Sequence, residues 1–209
     1  MANMALCYYE IKYPYLFYPF RDEKGVSWFM FSVPVNILAN LYKNHFNKMP
    51  LTFFDCGAAI GELIRQAEKL NIKATGIDIK RYPTNKFPSM YRYEKYFKSG
   101  QIQIKSILDC EHIRADLAYC NGTLTYMNET TLPLALEKFQ NVGMLIAIHN
   151  TTEDINAARQ MGEELLHDEP RLIRSNQWWI ETFKKHGFDT HFDERYNVFC
   201  AIPNKSKIK

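Results

Sequence analysis

The fold is decided by residues 51–62, which read Leu51-Thr52-Phe53-Phe54-Asp55-Cys56-Gly57-Ala58-Ala59-Ile60-Gly61-Glu62. An apolar run ends in an acid, two glycines follow at a spacing of four, and a helical pattern then begins. Glycines let a backbone turn tightly and approach a ligand without a β-carbon in the way. The stretch therefore predicts a strand, a tight loop and a helix N-terminus that together hold a nucleotide-like ligand.

The composition is that of one globular domain. The chain has 209 residues, of which 46% are hydrophobic, so it can bury a sizeable core. The net charge of +3 and the lack of a basic run give no indication of strong nucleic-acid binding. Five cysteines without a CxxC pair suggest neither a disulfide framework nor a zinc cluster, and we predict no metal site. Reduced thiols favour a cytoplasmic location. Pro14 and Pro19 interrupt the aromatic N-terminus, which indicates neither a signal peptide nor a membrane span.

Hydrophobic periodicity predicts alternating strands and helices. The predicted strands are 51–55, 73–78, 102–107, 116–120, 144–148, 188–192 and 197–202. The predicted helices are 34–46, 61–70, 91–97, 132–139, 154–166 and 176–186, with Ser32 as the expected cap of the first. This order predicts an α/β fold, a three-layer αβα sandwich around a seven-stranded, mainly parallel, doubly wound sheet that ends in an antiparallel hairpin. We expect an irregular, aromatic-rich strap or lid over 1–32, the main domain over 33–203 and a basic tail over 204–209.

Two further acids follow apolar runs. Asp78 ends the second strand, seventeen residues after Gly61, where a carboxylate can accept hydrogen bonds from both hydroxyls of a ribose. Asp109 follows the third strand, where it can accept from an exocyclic adenine amine while Ile107 and Leu108 flank the ring. Asp78 alone is explained equally well as a solvated strand-end acid, and an acid in the position of Asp109 is on its own more often a turn residue. Their order behind the glycine loop favours a nucleoside site.

These motifs resemble those of class I S-adenosylmethionine-dependent methyltransferases. The family's first motif, an acid followed by three glycines at alternate positions, stands here as residues 55–61, with Ala59 in place of the central glycine. The family's fourth motif resembles residues 115–124, and the resemblance covers about 33–202. It implies S-adenosylmethionine as the cofactor. It also implies cofactor-binding residues at the strand ends, namely Asp55, Gly57, Ala59, Gly61, Asp78, Leu108, Asp109, Cys120 and Asn121.

A dinucleotide-binding Rossmann domain is the main alternative fold. Its fingerprint has glycines spaced two and then three residues apart, whereas Gly57, Ala59 and Gly61 are spaced two and two. Asp55 would also repel a pyrophosphate, whereas it would attract the amino group of S-adenosylmethionine. The charge pattern therefore favours the sulfonium cofactor.

Residues expected to face the acceptor follow the fourth and fifth strands. His149 ends the apolar fifth strand and is the candidate general base, with packing at the strand end as an equal alternative. Tyr126, after the fourth strand, is a candidate substrate contact or a packing residue. Tyr18 and Arg171 are further candidate substrate contacts. Arg171 lies in a segment that resembles one in small-molecule and sugar methyltransferases.

The sequence thus predicts an enzyme that transfers a methyl group to an O or N atom of a small-molecule or sugar-like acceptor. Asn121 is followed by Gly122-Thr123 rather than by the Pro-Pro of adenine amino-methylating enzymes, which weakens a nucleic-acid interpretation. Two alternatives stay open, a protein or RNA methyltransferase and a catalytically inactive domain that keeps the fold as a binding module. Nucleic-acid and membrane partners are not indicated, and the oligomeric state is not predicted.

Overall fold

The computed structural model describes residues 16–21, 27–81, 91–149, 151–154, 156 and 172–206. The strands in these ranges are β1 (Leu16–Arg21), β2 (Ser27–Ser32), β3 (Thr52–Cys56), β4 (Lys73–Asp78), β5 (Ile102–Ile104), β6 (Leu117–Asn121), β7 (Met144–Ile148), β8 (Phe188–Asp193) and β9 (Val198–Pro203). The helices are α1 (Val35–Phe46), α2 (Glu62–Lys69), α3 (Tyr91–Lys98), α4 (Thr131–Lys138) and α5 (Asn176–Lys185). None of these helices is long and apolar enough to cross a membrane.

Seven strands form the main sheet, in the order β5-β4-β3-β6-β7-β9-β8. The neighbours from β5 to β7 are parallel, whereas β9 runs antiparallel to both β7 and β8. The predicted seven-stranded, mainly parallel sheet with a terminal antiparallel hairpin is therefore confirmed. Because β3 pairs in parallel with both β4 and β6, the carboxyl ends of these three strands meet at one edge of the sheet.

The helices cover the two faces of the sheet. The core of one face is built from α1, α2 and α3, and that of the other face from α4 and α5. Successive residues of β6 serve opposite faces, so that Tyr119 belongs to the first core and Cys120 to the second. All five residues of β7 are buried, which explains why this strand reads as an uninterrupted apolar run. The predicted three-layer sandwich is confirmed.

The N-terminal region differs from its prediction. The described part of 1–32 is not irregular, because β1 and β2 form an antiparallel hairpin with Leu16 opposite Ser32. Ser32 is also not the cap of α1. Pro34 takes that position, while Ser32 Oγ donates a hydrogen bond to Tyr119 Oη over 2.9 Å. A role for this region as a strap or lid stays a prediction.

The third strand of the prediction is too long. β5 ends at Ile104 because Ser106 starts a short 3-10 helix over Ile107–Asp109. Ser106 Oγ accepts from the N–H of Leu108 over 3.2 Å, and the Asp109 carboxylate accepts from the N–H of Ser106 over 3.3 Å. This reciprocal capping box competes with strand extension. The predicted helix 154–166 and the end of the predicted tail extend outside the described residues.

Candidate active site

The carboxyl edge of the sheet brings the predicted strand-end residues together. Asp55 lies in β3, where it pairs in register with Gly76 of β4 and Tyr119 of β6. Asp78 and Asn121 end the two strands that flank β3. Gly76 leaves room for this pairing, since a Cβ there would lie 2.7 Å from the Asp55 carbonyl oxygen. The sheet register therefore fixes two acids and an amide around one loop.

The loop after β3 needs its first glycine on two grounds. Gly57 has a φ of 91°, a left-handed conformation that favours glycine. A Cβ at this position would also overlap Thr123 Oγ1. The Thr123 hydroxyl donates to the carbonyl oxygen of Cys56 over 2.9 Å, which ties the loop after β6 to the loop after β3. Gly57 thus holds two of the predicted motifs in contact.

Ala59 stands in the left-handed region with a φ of 46°, which is strained for a residue with a Cβ. Its N–H donates to Asp78 Oδ2 over 2.8 Å. The carboxylate that the sequence places on a ribose therefore also holds the middle of the glycine loop. Gly61, with a φ of 92°, is also required for packing, because a Cβ there would lie 2.7 Å from Ile102 Cδ1. Its role in cofactor binding stays a prediction.

A small recess lies beneath this loop. Its volume is about 20 Å³, which is enough for roughly one water molecule. It is lined by the loop and by side chains from four elements, among them Ser32, Asp55, Glu62, Tyr119 and Asn121. The Tyr119 hydroxyl accepts hydrogen bonds from Ser32 Oγ and, over 3.3 Å, from the N–H of Val33. The recess thus joins the end of the N-terminal hairpin to the centre of the sheet.

Asp55 is the electrostatic centre of the recess. Its side chain is 3% exposed, and burial, reinforced by the charge of Asp78, raises its pKa to about 8. Burial also raises the pKa of Asp78, against the hydrogen bonds from the N–H groups of Lys80 and Ala59, which favour the charged form. Because the pKa of Asp55 is raised so far, Asp55 is largely protonated at neutral pH unless a cation lies beside it.

Three predicted cofactor residues have other local roles. The exposed Asp109 carboxylate caps the 3-10 helix, and Leu108 packs against the core of the α4 and α5 face. The Cys120 side chain is 0% exposed and lies in that same core, in register with Cys56. A cofactor contact of Cys120 would therefore come from its backbone. Ser106, at the end of β5, is a polar residue of this edge that the sequence did not single out.

His149 lies inside the second core. Its ring stacks on Trp179 with a centroid distance of 3.8 Å, and its side chain is 1% exposed. Neither ring nitrogen has a hydrogen-bond partner within the described part of the chain. Burial lowers the pKa of His149 to about 3. These observations favour the packing role, and the general-base role stays a prediction.

Of the three candidate substrate contacts, Tyr126 and Tyr18 lie in described elements and Arg171 does not. Tyr126 is 49% exposed and lies in a 3-10 helix, Thr123–Tyr126, directly after β6. Tyr18 lies in β1, opposite Met30 of β2. Arg171 lies outside the described residues. The neighbouring Leu172 donates its N–H to the carbonyl oxygen of Thr125 over 2.5 Å, so the chain after Arg171 runs beside the Tyr126 helix.

Solved structures share this architecture at low sequence identity. Human N-acetylserotonin methyltransferase, in complex with S-adenosylmethionine, aligns over 74% of this chain and 48% of its own, with 19% identity and a TM-score of 0.54. The sugar N-methyltransferase KedS8 from Streptoalloteichus aligns over 82% and 87%, with 10% identity and a TM-score of 0.59. This chain has the class I methyltransferase fold.

The small RNA methyltransferase HEN1 has the same fold, with 15% identity and a TM-score of 0.57 over 80% of this chain and 24% of its own. The chain therefore spans about half of the human enzyme and about a quarter of HEN1. No protein-family model matches the sequence, and no curated protein is significantly similar to it.

Sequence reasoning missed Ser32, Glu62 and Tyr119 as residues of this methyltransferase-fold site. Tyr119 carried a signal, because its alternation with Cys120 along β6 puts it on the same face as Asp55. Glu62 follows Gly61 directly, so the predicted start of the helix already placed it at the N-terminus of α2. Ser32 had no such signal, since its bond to Tyr119 joins positions 87 residues apart.

Proposed function

We propose that the protein is an S-adenosylmethionine-dependent methyltransferase that acts on an O or N atom of a small-molecule or sugar-like acceptor. One observation carries this proposal. A buried carboxyl group, Asp55, lies under a glycine loop whose middle N–H is held by Asp78, the acid of the next strand. A buried acid is unsuited to a dinucleotide phosphate, whereas a ligand with an amino group and a ribose would be complementary.

The residues of the edge fit the cofactor. Asp55 would hold its ammonium group, directly or through one water in the recess. Asp78 Oδ1, which accepts from the N–H of Lys80 over 3.2 Å, belongs to a largely buried side chain at the carboxyl end of β4 and would accept from the ribose hydroxyls. Gly57 lets the backbone come close. The exposed Ile79, at 77%, would cover one face of the adenine.

Methyl transfer requires little from the protein beyond positioning the acceptor against the methyl group. When bound, S-adenosylmethionine supplies an electrophilic methyl group on a sulfonium centre. The chain has to orient an acceptor in line with that group and keep water away. Asn121, at the end of β6, and Tyr126, just after it, are the residues that we propose to contact the acceptor. An amine acceptor needs only to be neutral, whereas a hydroxyl acceptor needs a base.

Two findings support a small acceptor. KedS8, which acts on a sugar, matches this chain over most of both lengths, whereas HEN1 matches over a small part of its own. The net charge of +3 gives little electrostatic attraction for RNA. A second candidate, methylation of RNA, rests on the match to HEN1 and would require a basic RNA-binding surface.

The test of the cofactor is calorimetry with S-adenosylmethionine and S-adenosylhomocysteine. Asp78→Asn keeps an oxygen that can accept from Ala59 but removes the charge, and we expect at least about tenfold weaker binding. Asp189→Asn, an exposed acid of β8, is the matched control and should bind as the unmodified protein does. Absence of binding by both ligands to the unmodified chain would sink the proposal. A screen of amine and hydroxyl acceptors, with release of S-adenosylhomocysteine as the signal, then identifies the acceptor class.

A further inference from the structure

The edge of the main sheet opposite the candidate active site is rich in lysine. The parallel strands β3, β4 and β5 begin at this edge, and α1, α2 and α3 end there, since connections of three to five residues join each helix to the next strand. Six exposed lysines belong to these helix ends, connections and strand starts, namely Lys43, Lys48, Lys69, Lys73, Lys95 and Lys98. We call this region the amino-edge surface.

The acids beside these lysines are bound by neighbouring donors. Glu68 accepts from Lys95 Nζ over 3.2 Å. Asp116 Oδ2 accepts from the N–H groups of Leu51 and Thr52 over 2.8 and 3.0 Å. Within the described ranges, the other five lysines of the surface form no ion pair. Six lysines against these two acids give the amino-edge surface an excess of positive charge that is larger than the net charge of +3 of the whole chain.

Helix stabilisation explains only part of this pattern. Lys43, Lys69 and Lys98 lie in the last turns of their helices, where a cation offsets the negative end of the helix dipole. Lys48 lies in the connection after α1, and Lys73 is the first residue of β4, so neither belongs to a helix. The concentration of lysine at this edge therefore has a further cause.

Aliphatic side chains are exposed among the lysines. Leu51 is 73% exposed, Met49 41% and Leu70 38%. The backbone holds them beside the cations, because the N–H of Lys73 donates to the carbonyl oxygen of Leu51 over 2.9 Å and Leu70 follows Lys69 directly. A surface that mixes exposed aliphatic side chains with lysines is complementary to a layer that offers both acyl chains and negative headgroups.

We propose that the amino-edge surface docks on an anionic phospholipid bilayer, with its lysines at the headgroups and Leu51 and Met49 in the interfacial region. A lysine is attracted to such a bilayer as a point charge and needs no directed hydrogen bond. A single-stranded nucleic acid would be bound instead through aromatic rings on which its bases stack, whereas Leu51, Met49 and Leu70 are aliphatic. The proposal does not depend on the proposed function, because it uses none of the cofactor residues.

Docking through this surface leaves the candidate active site open. β3 has five residues and runs from the amino-edge surface to the glycine loop. At about 3.3 Å per residue the two ends of this strand lie roughly 17 Å apart. A cofactor and an acceptor would therefore reach the loop from the side that faces away from the bilayer.

Sedimentation with lipid vesicles tests the charged part of the proposal. The probes are vesicles of phosphatidylcholine alone and vesicles of phosphatidylcholine mixed with phosphatidylserine. We expect the unmodified chain to bind only the mixed vesicles, and more weakly as salt screens the lysines. Combining Lys69→Gln with Lys73→Gln should weaken this binding about 25-fold, at about fivefold per lysine. Combining Arg92→Gln with Lys105→Gln removes the same charge near the opposite edge and should change binding by less than about threefold.

A serine in place of an exposed leucine tests the apolar part. Leu51→Ser should weaken binding to the mixed vesicles about fivefold. Leu134→Ser, at a 52% exposed leucine of α4, is the matched control and should bind as the unmodified chain does.

Four results would overturn the proposal. The first is that the unmodified chain does not bind the mixed vesicles. The second is that the control pair at Arg92 and Lys105 loses as much binding as the pair at Lys69 and Lys73, because net charge alone would then explain the attraction. The third is full binding by Leu51→Ser, which would remove the bilayer interior from the contact. The fourth is a single-stranded RNA oligonucleotide that binds through the same lysines and displaces the vesicles, which would assign the surface to nucleic acid.

Discussion

Replacing Asp55 by Asn should stabilise the ligand-free protein, and increasingly so as the pH rises. Burial and the charge of Asp78 raise the pKa of Asp55 from its ordinary value of 3.8 to about 8. A carboxyl group with a raised pKa in the folded state binds its proton more tightly there than in the unfolded chain. Its contribution is complete below about pH 4 and is lost as the pH rises towards 8. The unmodified protein therefore loses stability over this window.

The size of this loss of stability follows from the shift in the pKa of Asp55. Each pH unit between the two pKa values costs about 1.4 kcal/mol, and half-ionisation near pH 8 reduces the last step. From pH 6 to pH 8 the unmodified protein should lose about 2 kcal/mol through this one group. Asp55→Asn removes that loss, since the amide does not titrate. Its free energy of unfolding, relative to the unmodified protein, should rise by about 2 kcal/mol over the same interval.

Urea unfolding at several pH values between 6 and 9 measures this difference. Asp189→Asn makes the same substitution at an exposed position and serves as the control. A difference for Asp55→Asn that stays constant within about 0.5 kcal/mol between pH 6 and pH 8 would refute the assignment of a protonated Asp55.

The same assignment predicts proton release on ligand binding. At pH 7 the free site holds its proton, whereas a bound ammonium favours the charged carboxylate. Binding of S-adenosylhomocysteine should therefore release about one proton. Calorimetry at pH 7 in buffers of different ionisation enthalpy counts it. Heats that do not depend on the buffer would show that Asp55 is already ionised or does not meet the amine.

Three further changes test the loop and the second core. Ala59→Gly should stabilise the chain by up to about 1 kcal/mol in thermal unfolding, because it removes left-handed strain that exceeds the entropic cost of glycine; a loss of stability would contradict the strain. Gly57→Ala should weaken S-adenosylhomocysteine binding at least about tenfold, whereas Gly100→Ala, with a φ of 75° and open space around it, controls for backbone strain alone. His149→Phe should keep turnover within about twofold and raise stability by about 1 kcal/mol, since it replaces two buried nitrogens that have no hydrogen-bond partner among the described residues. A fall in turnover of about 100-fold would instead support the base role.

The positions of Asp55 and Asp78 at the carboxyl edge of the sheet could be predicted from the sequence, because each strand end carries its signal locally. An apolar run followed by Asp55 or Asp78 marks both the strand and the acid, and parallel pairing then brings the two acids to one edge. Asp109 caps a 3-10 helix, which agrees with its interpretation as a turn acid, and Ser106 three residues before it is the sequence signal of this capping box. Its contact with the adenine amine stays a prediction. The assignment of Ser32 as a helix cap was wrong because its partner, Tyr119, is distant in the sequence.

His149 shows the limit of a rule that assigns polar residues at strand ends to a binding site. The rule places residues near the edge but does not say which face or depth the last side chain takes. His149 stacks on Trp179, and whether a ring at this position faces the acceptor or the core depends on the packing of α5. That packing is set by contacts between elements far apart in the chain, so periodicity within β7 leaves both roles open.

The ionisation of Asp55 also bears on whether the fold is kept only as a binding module. In a scaffold without cofactor, a buried carboxyl group whose pKa is about 8 lowers stability at neutral pH, and no interaction with a ligand compensates for this loss. An amide or a small apolar residue would fill the same place at lower cost, and Gly76 and Tyr119 beside it would pack as well. A cationic ligand reverses this balance, because it converts the buried acid into half of an ion pair. If Asp55→Asn stabilises the free chain and abolishes the thermal shift by S-adenosylhomocysteine, the acid is explained by the ligand and not by the fold.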